Sequence, residues 1–440
     1  MKWRKWTALL LAAVMLLGLA ACGEAQNFTA EKLSVWIWDK EQLEVLQSAA
    51  DSWTEKTHIP VEFTVKDRES YWVDVDKGVL PDILWVDSAH APAYAENGTL
   101  LQLDSLLEGG RTIRLKDYNA QTAHLFQLEG HTYAIPKDSL LTALWYNKAL
   151  FDSLSLSYPD ETWTWETLYE TAKKLTNRHN GYYGIAIAPD DLGDGWYNLV
   201  YSYGGSILTA DENGNEISGW ASEETLAGME LMGRIIADCM PSQPTLAELD
   251  ATQLFASGRV AMVLQNSEQR TELLGLTGAV NWSCALLPYC DRDGSGDCGT
   301  GERVSVVEGN GWAISARCAD SAAAFSLLET LCGKDTQTAL AALGGAQSAY
   351  TGAQEAWGSP DSPDFAVYDT YRTTLSDSTL IPVPQQLPGE TWLDHALDTT
   401  LYTLWNDPGR METLLRQQQS YTDAELLGRQ QAEEEPAAEG

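Results

Sequence analysis

Several short stretches of this chain set aromatic rings beside paired polar groups at places where an apolar run ends. They are Trp38-Asp39, Asp87-Ser88-Ala89-His90, Lys137-Asp138, Trp196-Tyr197, Gln265-Asn266, Asn310 with Trp312, and Trp392 in the run PGETWLDHAL. Flat rings cover the apolar C–H face of a ligand, while carboxylates and amides accept and donate in pairs around a belt of hydroxyls. That chemistry captures a ligand without changing it. The reactive alternatives have little to stand on: there is no H-E-x-x-H pair, no nucleophile elbow, no phosphate-binding glycine loop and no Cys-x-x-Cys, and the six His are scattered. With 63 acidic residues any two carboxylates could be nominated as a hydrolytic pair, so their presence discriminates nothing.

The elements that must position these groups are legible from periodicity. Lys32 to Asp39, Ile59 to Val65 and Ile83 to Val86 are expected strands, and Glu41 to Trp53 places Leu43, Leu46, Ala50 and Trp53 on one helical face. This β-α-β succession implies a mostly parallel sheet covered by helices. Asp87 to His90 then leaves a strand at its carboxyl end and enters a segment that stops at Asn97-Gly98, the place where open α/β sheets make ligand crevices. Further on, an extended run with Pro136 leads to a second run, Leu140 to Tyr146. Thr162 to Thr176 reads as an amphipathic helix, Tyr182 to Ala188 as a strand, and Asp320 as the cap of a helix that stops at Gly333. Trp36 and Trp85 alternate with other strand residues and belong to the core.

Composition bounds the rest. A chain of 440 residues exceeds what one core serves, so two lobes are expected, and a net charge of −35 argues against nucleic acid and anionic membrane surfaces. Lys2, Arg4 and Lys5, the apolar Ala8 to Leu19 and the run Leu19-Ala20-Ala21-Cys22 form a lipoprotein-type signal over residues 1–21; its removal leaves a charge of about −38. Cys22 would carry the lipid, and residues 22–31 would be a polar tether. Asp291, Asp293, Ser295, Gly296 and Glu302 occupy positions one, three, five, six and twelve of a calcium-type loop. Without flanking amphipathic helices, and with Cys298 at position eight, this reads as a solvated hairpin loop, so no metal is expected. Cys290 and Cys298 bracket its tip and could bridge; with Cys239, Cys284, Cys318 and Cys332, six cysteines allow fifteen full pairings.

The blocks PDILWVDSAHAPAYAENGTLLQLD, GHTYAIPKDSLLTALWYNKALFD, TWETLYETAKKLT, LFASGRVAMVLQNS and GNGWAISA, in this order, resemble the family 1 extracellular solute-binding proteins, the receptors of ATP-driven sugar importers. The resemblance implies a two-lobed α/β fold of the type II periplasmic-binding-protein kind, with chain crossings near Lys137, Glu308 and Ala349. Lobe 1 would comprise 32–137 and 309–348, lobe 2 would comprise 138–308 and 349–425, and 426–440 would be an acidic disordered tail. It further implies a carbohydrate ligand, with Trp392 where family members carry a stacking aromatic and Asp39 and Asp138 where they carry a polar residue; the loop and strand-end chemistry above adds Trp38, Asp87, Ser88, His90, Trp196, Tyr197, Asn266, Asn310 and Trp312 as expected ligand contacts. A monomeric receptor lipid-anchored outside the cell, or periplasmic, would hand this ligand to permease subunits without a cofactor or catalysis. The rivals are the same fold holding a polyamine, a peptide or an organic anion, and an exported glycoside hydrolase.

Overall fold

The structure, a computed structural model, describes residues 28–110, 112–188, 195–213, 215–270, 280–290, 303–358, 365–383 and 391–434. The signal segment with Cys22, the calcium-type loop with Asp291, Asp293, Ser295 and Glu302, and Cys298 lie outside the described residues.

The chain opens as β1 (Leu33–Ile37), α1 (Leu43–Thr57), β2 (Val61–Val65), α2 (Arg68–Asp76), β3 (Ile83–Asp87) and α3 (Ala91–Glu96). Strands β2 and β3 flank β1 in parallel, with Leu33 opposite Val61 and Val35 opposite Ile83. Helix α1 buries Leu46, Ala50 and Trp53, the face its spacing predicts. Asp67 caps α2 by accepting from the Ser70 N–H at 2.9 Å.

After the short α4 (Ala120–His124), the two expected extended runs prove to be one strand, β4 (Ala134–Asn147), buried along its whole length. Helices α5 (Trp165–Leu175), α6 (Tyr197–Ser202) and α7 (Glu223–Cys239) follow, then β5 (Met262–Asn266), β6 (Trp282–Ala285) and β7 (Arg303–Ile314). Helices α8 (Ser321–Leu331) and α9 (Lys334–Ala341), the two-residue β8 (Gln347–Ser348), α10 (Phe365–Asp377), β9 (Ser378–Pro382), α11 (Trp392–His395) and α12 (Met411–Glu434) complete it. These nine strands form one mixed sheet with the central order β6-β4-β7-β3-β1-β2; β5 and β8 also pair with β4, and β9 with β7, while Gln127–Leu128 with His131–Thr132 and Leu208–Ala210 with Glu216–Ser218 form two separate hairpins. Parallel pairing is confined to β1 with β2 and β3 and to β7 with β9; the long strands pair antiparallel.

Two strands therefore run through both parts of the molecule. The end of β7 lies against β3, while its start lies against β9; the start of β4 faces the end of β7, and its later residues pair with β5 and β6. Where they pass, Asp138 and Ser139 of β4 pair with Asn310 and Gly309 on one side and with Ser348 and Gln347 on the other. Lys137 and Glu308 thus lie on adjacent strands, and Ala349 directly follows β8. Gly309 is required here because a Cβ would stand 2.6 Å from the Asp138 carbonyl oxygen and 2.9 Å from a Thr122 methyl. A register shift between Asn310 and Gly311 brings Pro136 opposite Gly311.

Among the described residues three apolar clusters form, and one of them joins Leu84 and Val86 of β3 to Trp145, Val263 and Tyr371, so packing is continuous across the sheet. Trp85 and Trp312 pack with Val35, Ile37 and the apolar faces of α1 and α8, whereas Trp196, Trp220, Trp392 and Trp405 belong to a separate cluster with α5, α7 and α12. Two expectations are corrected. Residues 182–188 form isolated bridges, Tyr182 with Asn177, Tyr183 with Val260 and Ala186 with Val263, and between them the Gly184 N–H donates instead to the Cys239 carbonyl at 3.0 Å. The expected disordered tail is helical as far as Glu434, since Leu426 is buried and Arg429 pairs with Glu216. Cys239, Cys284, Cys318 and Cys332 form no disulfide among the described residues, and burial pushes the Cys239 thiol up to about 12. Among those residues no helix is long and apolar enough to cross a membrane.

Candidate functional site

The carboxyl ends of β1, β2 and β3 deliver a compact group of rings and charges. Trp38, directly after β1, is partly exposed and meets Tyr71 and Trp85 edge-on at 5.2 and 5.1 Å. Helix α2 starts three residues beyond β2 and carries Arg68 and Trp72 one turn apart, so both face the same side. The Arg68 guanidinium lies 5.0 Å over the Trp38 ring, and Trp72 stands 5.7 Å from it. Strand β3 ends at Asp87, whose Oδ1 accepts from the His90 N–H at 2.9 Å and lies 2.7 Å from His90 Nδ1. That contact orients the imidazole, which stacks on Trp72 at 4.0 Å and 14°. Burial works against a charged His90, yet the hydrogen bond and charge of Asp87 raise its pKa above the ordinary value.

A second row of groups crosses the sheet beside this one. Asn310 lies opposite Asp87 on β3 and opposite Asp138 on β4. Its backbone N–H donates to Asp138 Oδ1 at 2.8 Å, and Asp138 forms a buried ion pair with Lys137, whose ammonium sits 4.6 Å over the Trp85 ring. The Asn310 side chain is 1% exposed, and neither its amide nitrogen nor its oxygen has a partner among the described residues. An orphaned buried amide costs about 1–3 kcal/mol, so the site is incomplete as it stands. Ser88 is buried and tied to the crossing: its N–H donates to the Gly309 carbonyl at 2.9 Å.

Glu268, two residues beyond β5, reaches the first of these rows. Its carboxylate oxygens are each 3.2 Å from Arg68 Nη2, joining α2 to the segment after β5, and its N–H donates to Asn266 Oδ1 at 2.8 Å. Asn266 thus positions Glu268 from the buried end of β5. Burial pushes the Glu268 carboxyl above the usual range, with Arg68 opposing. Glu308 on β7 retains partial solvent contact in a densely filled surrounding. Burial, then the charges of Asp87 and Glu268, push it up to about 7.

The remaining expected site residues fall elsewhere. Asp39 caps the turn Lys40–Gln42 and, with Lys137, Asp138, Gln337 and Ser348, lines a cavity of about 40 Å³, room for a water. Trp312 is fully buried and packs edge-on against Trp85 at 5.4 Å. Trp196 and Tyr197 are fully buried at the start of α6; Trp196 lies 4.1 Å from Tyr197 and 5.8 Å from Trp220. Trp392 is fully buried beneath α12, where Gln418 Nε2 donates to its carbonyl at 2.8 Å. The expected ligand-facing rings at Trp196, Tyr197, Trp312 and Trp392 are therefore core rings as placed, because sealing so large an apolar surface outweighs leaving it at an edge.

Four contributors have no counterpart in the sequence reading: Arg68, Trp72, Glu268 and Glu308. The Asp67-x-x-Ser70 cap directly after β2 could have located the first two, since it starts a helix at a strand's carboxyl end. Other hollows differ in character. A surface trough of about 1010 Å³ lined by Phe28, Trp53 and Phe325 opens at the amino ends of β1 and β2. A cavity of about 470 Å³ is lined by Pro92 and Leu125 on one side and Tyr201, Leu208 and Ile381 on the other. Neither gathers a stacked ring pair with opposed charges.

Residues 48–367 match a family described as bacterial extracellular solute-binding protein. The lactose-binding protein of Rhizobium radiobacter is 24% identical over 408 residues, covering 87% of this chain and 88% of that protein. Among solved structures, an ABC substrate-binding protein from Listeria monocytogenes in complex with cycloalternan superposes with a TM-score of 0.72 at 17% identity, covering 90% of this chain and 99% of its own. The sugar-binding protein MalE from Xanthomonas citri gives 0.71 at 15% identity, with 92% and 100% covered.

Proposed function

This chain belongs to the bacterial extracellular solute-binding protein family, and from that premise we propose that it is the receptor of an ATP-driven importer and that its ligand is a carbohydrate. The observation that carries the carbohydrate reading is the His90–Trp72 stack, partly exposed and flanked by Asp87 and Arg68. A sugar ring needs such a flat surface for its C–H face, with acceptors and donors at the rim for its hydroxyls. The names of the relatives, which bind lactose, cycloalternan and other sugars, support the same class.

Arg68 and Glu268 reach the ligand space from opposite sides, so a ligand touching both stabilises the form in which the two sides are together. That form is the one offered to the permease. In this proposal Cys22 carries the lipid that keeps the receptor at the outer membrane face, residues 32–137 with 309–348 move against 138–308 with 349–425, and no bond of the ligand is broken. The test is a thermal-shift screen of the purified protein against mono- and oligosaccharides, followed by calorimetry on the hits and analysis of the recovered sugar. A raised midpoint with unaltered sugar is the expected result. Hydrolysed sugar, or no response to any saccharide, overturns the reading.

A further inference from the structure

We propose that the carbohydrate selected by this site carries a positively charged amine, so that an amino sugar binds in preference to its neutral counterpart. The proposal rests on the carbohydrate reading above and concerns which member of that class the site takes.

The charges converging on the site do not balance. Lys137 is committed to Asp138, Arg68 to Glu268, and His90 to Asp87. Glu308 is left over: no cation pairs with it among the described residues, Asp87 and Glu268 both act on it as like charges, and Arg68 already serves Glu268. Asp39 adds a further carboxylate at the edge, acting on Glu268.

An independent observation points to a ligand at the same place. Asn310 lies two residues from Glu308 on β7, hence on the same face of the strand, and opposite Asp87. It is 1% exposed with both polar side-chain atoms unpartnered. A ligand that donates to Glu308 and to the Asn310 amide oxygen, and accepts from the Asn310 amide nitrogen, meets both needs. An amino sugar supplies an ammonium to donate and a neighbouring hydroxyl to accept, and its charge lets Glu308 give up the proton that burial makes it hold, whereas a neutral sugar brings no charge to the carboxylate. The Trp72–His90 stack beside it takes the ring that carries the amine.

The test is calorimetry of the purified protein at fixed salt with four ligands: a glucosamine disaccharide, its N-acetylated form, the matching glucose disaccharide and spermidine. The amine-bearing disaccharide is expected to bind about tenfold or more tightly than the other two sugars, the scale of one charge-assisted hydrogen bond. Glu308→Gln, which keeps the shape and removes the charge, is expected to collapse that ratio toward one. Equal affinity for the free and N-acetylated amines overturns the proposal and leaves the carbohydrate reading standing. Binding of spermidine with no response to any sugar overturns both readings, and silence across the whole panel overturns this proposal while the broader saccharide screen decides the other. A preserved ratio in Glu308→Gln overturns the assignment to this carboxylate.

Discussion

The strand ends of β1 to β3 and the helix starts of the later chain use tryptophan in opposite ways. Trp38 and Trp72 keep part of their surface in solvent and touch a charge or an imidazole, whereas Trp196 and Trp392 are sealed among apolar side chains. The difference follows from cover. Around β2 and β3 the following helices are short, nine residues in α2 and six in α3, and leave Trp72 and His90 partly exposed. In the later part α7, with 17 residues, and α12, with 24, lie over the rings. Ring identity therefore says little about function; what packs over a ring decides whether it is wall or filler.

The comparison breaks most sharply at Trp392. Trp392→Ala should lower stability by about 3–5 kcal/mol, the range for emptying an aromatic core position, seen as a fall in the thermal midpoint without ligand. A wild-type midpoint would show that the ring is not sealed. Trp72→Ala should do the reverse, leaving the ligand-free midpoint nearly unchanged and weakening sugar binding about tenfold by calorimetry.

A smaller effect separates the charged rows. The Glu308 carboxyl is raised from its usual 4.5 to about 7, so the folded protein holds a proton that the unfolded chain releases. Its contribution to stability is full below about 4.5 and is lost as pH rises through about 7, so Glu308→Gln should flatten the midpoint's decline between about pH 5 and pH 8. An unchanged slope would remove Glu308 from the buried set. Smallest is the Arg68–Glu268 pair, whose side chains are 49% and 32% exposed. A double-mutant cycle on ligand-free stability should give less than about 1 kcal/mol and vanish in 1 M salt.

The first sheet strands were readable because each is an apolar run bounded by turn formers, and Asp87 and His90 were readable because they follow such a run directly. Strand β4 was harder. Pro136-Lys137-Asp138 looks like an interruption, yet the ion pair satisfies the two charges and the register shift at Asn310 accommodates the proline, so the strand continues. Trp72 was hidden in a helix, where periodicity marks a face without saying that the face meets Trp38 and His90. Glu268 and Glu308 matter through residues 200 and more positions away, and local patterning carries no information at that range.

The pairing of β3 with β7 bears on how the molecule comes into being. Ile83 waits for Ile314, about 230 residues later, before the open edge of the first three strands is covered. Until then a nascent chain exposes a row of unmatched backbone groups, and closing so long a loop delays completion. Slow assembly keeps the polypeptide threadable, which is the condition a translocation channel imposes on a protein that must cross a membrane before it acquires its shape.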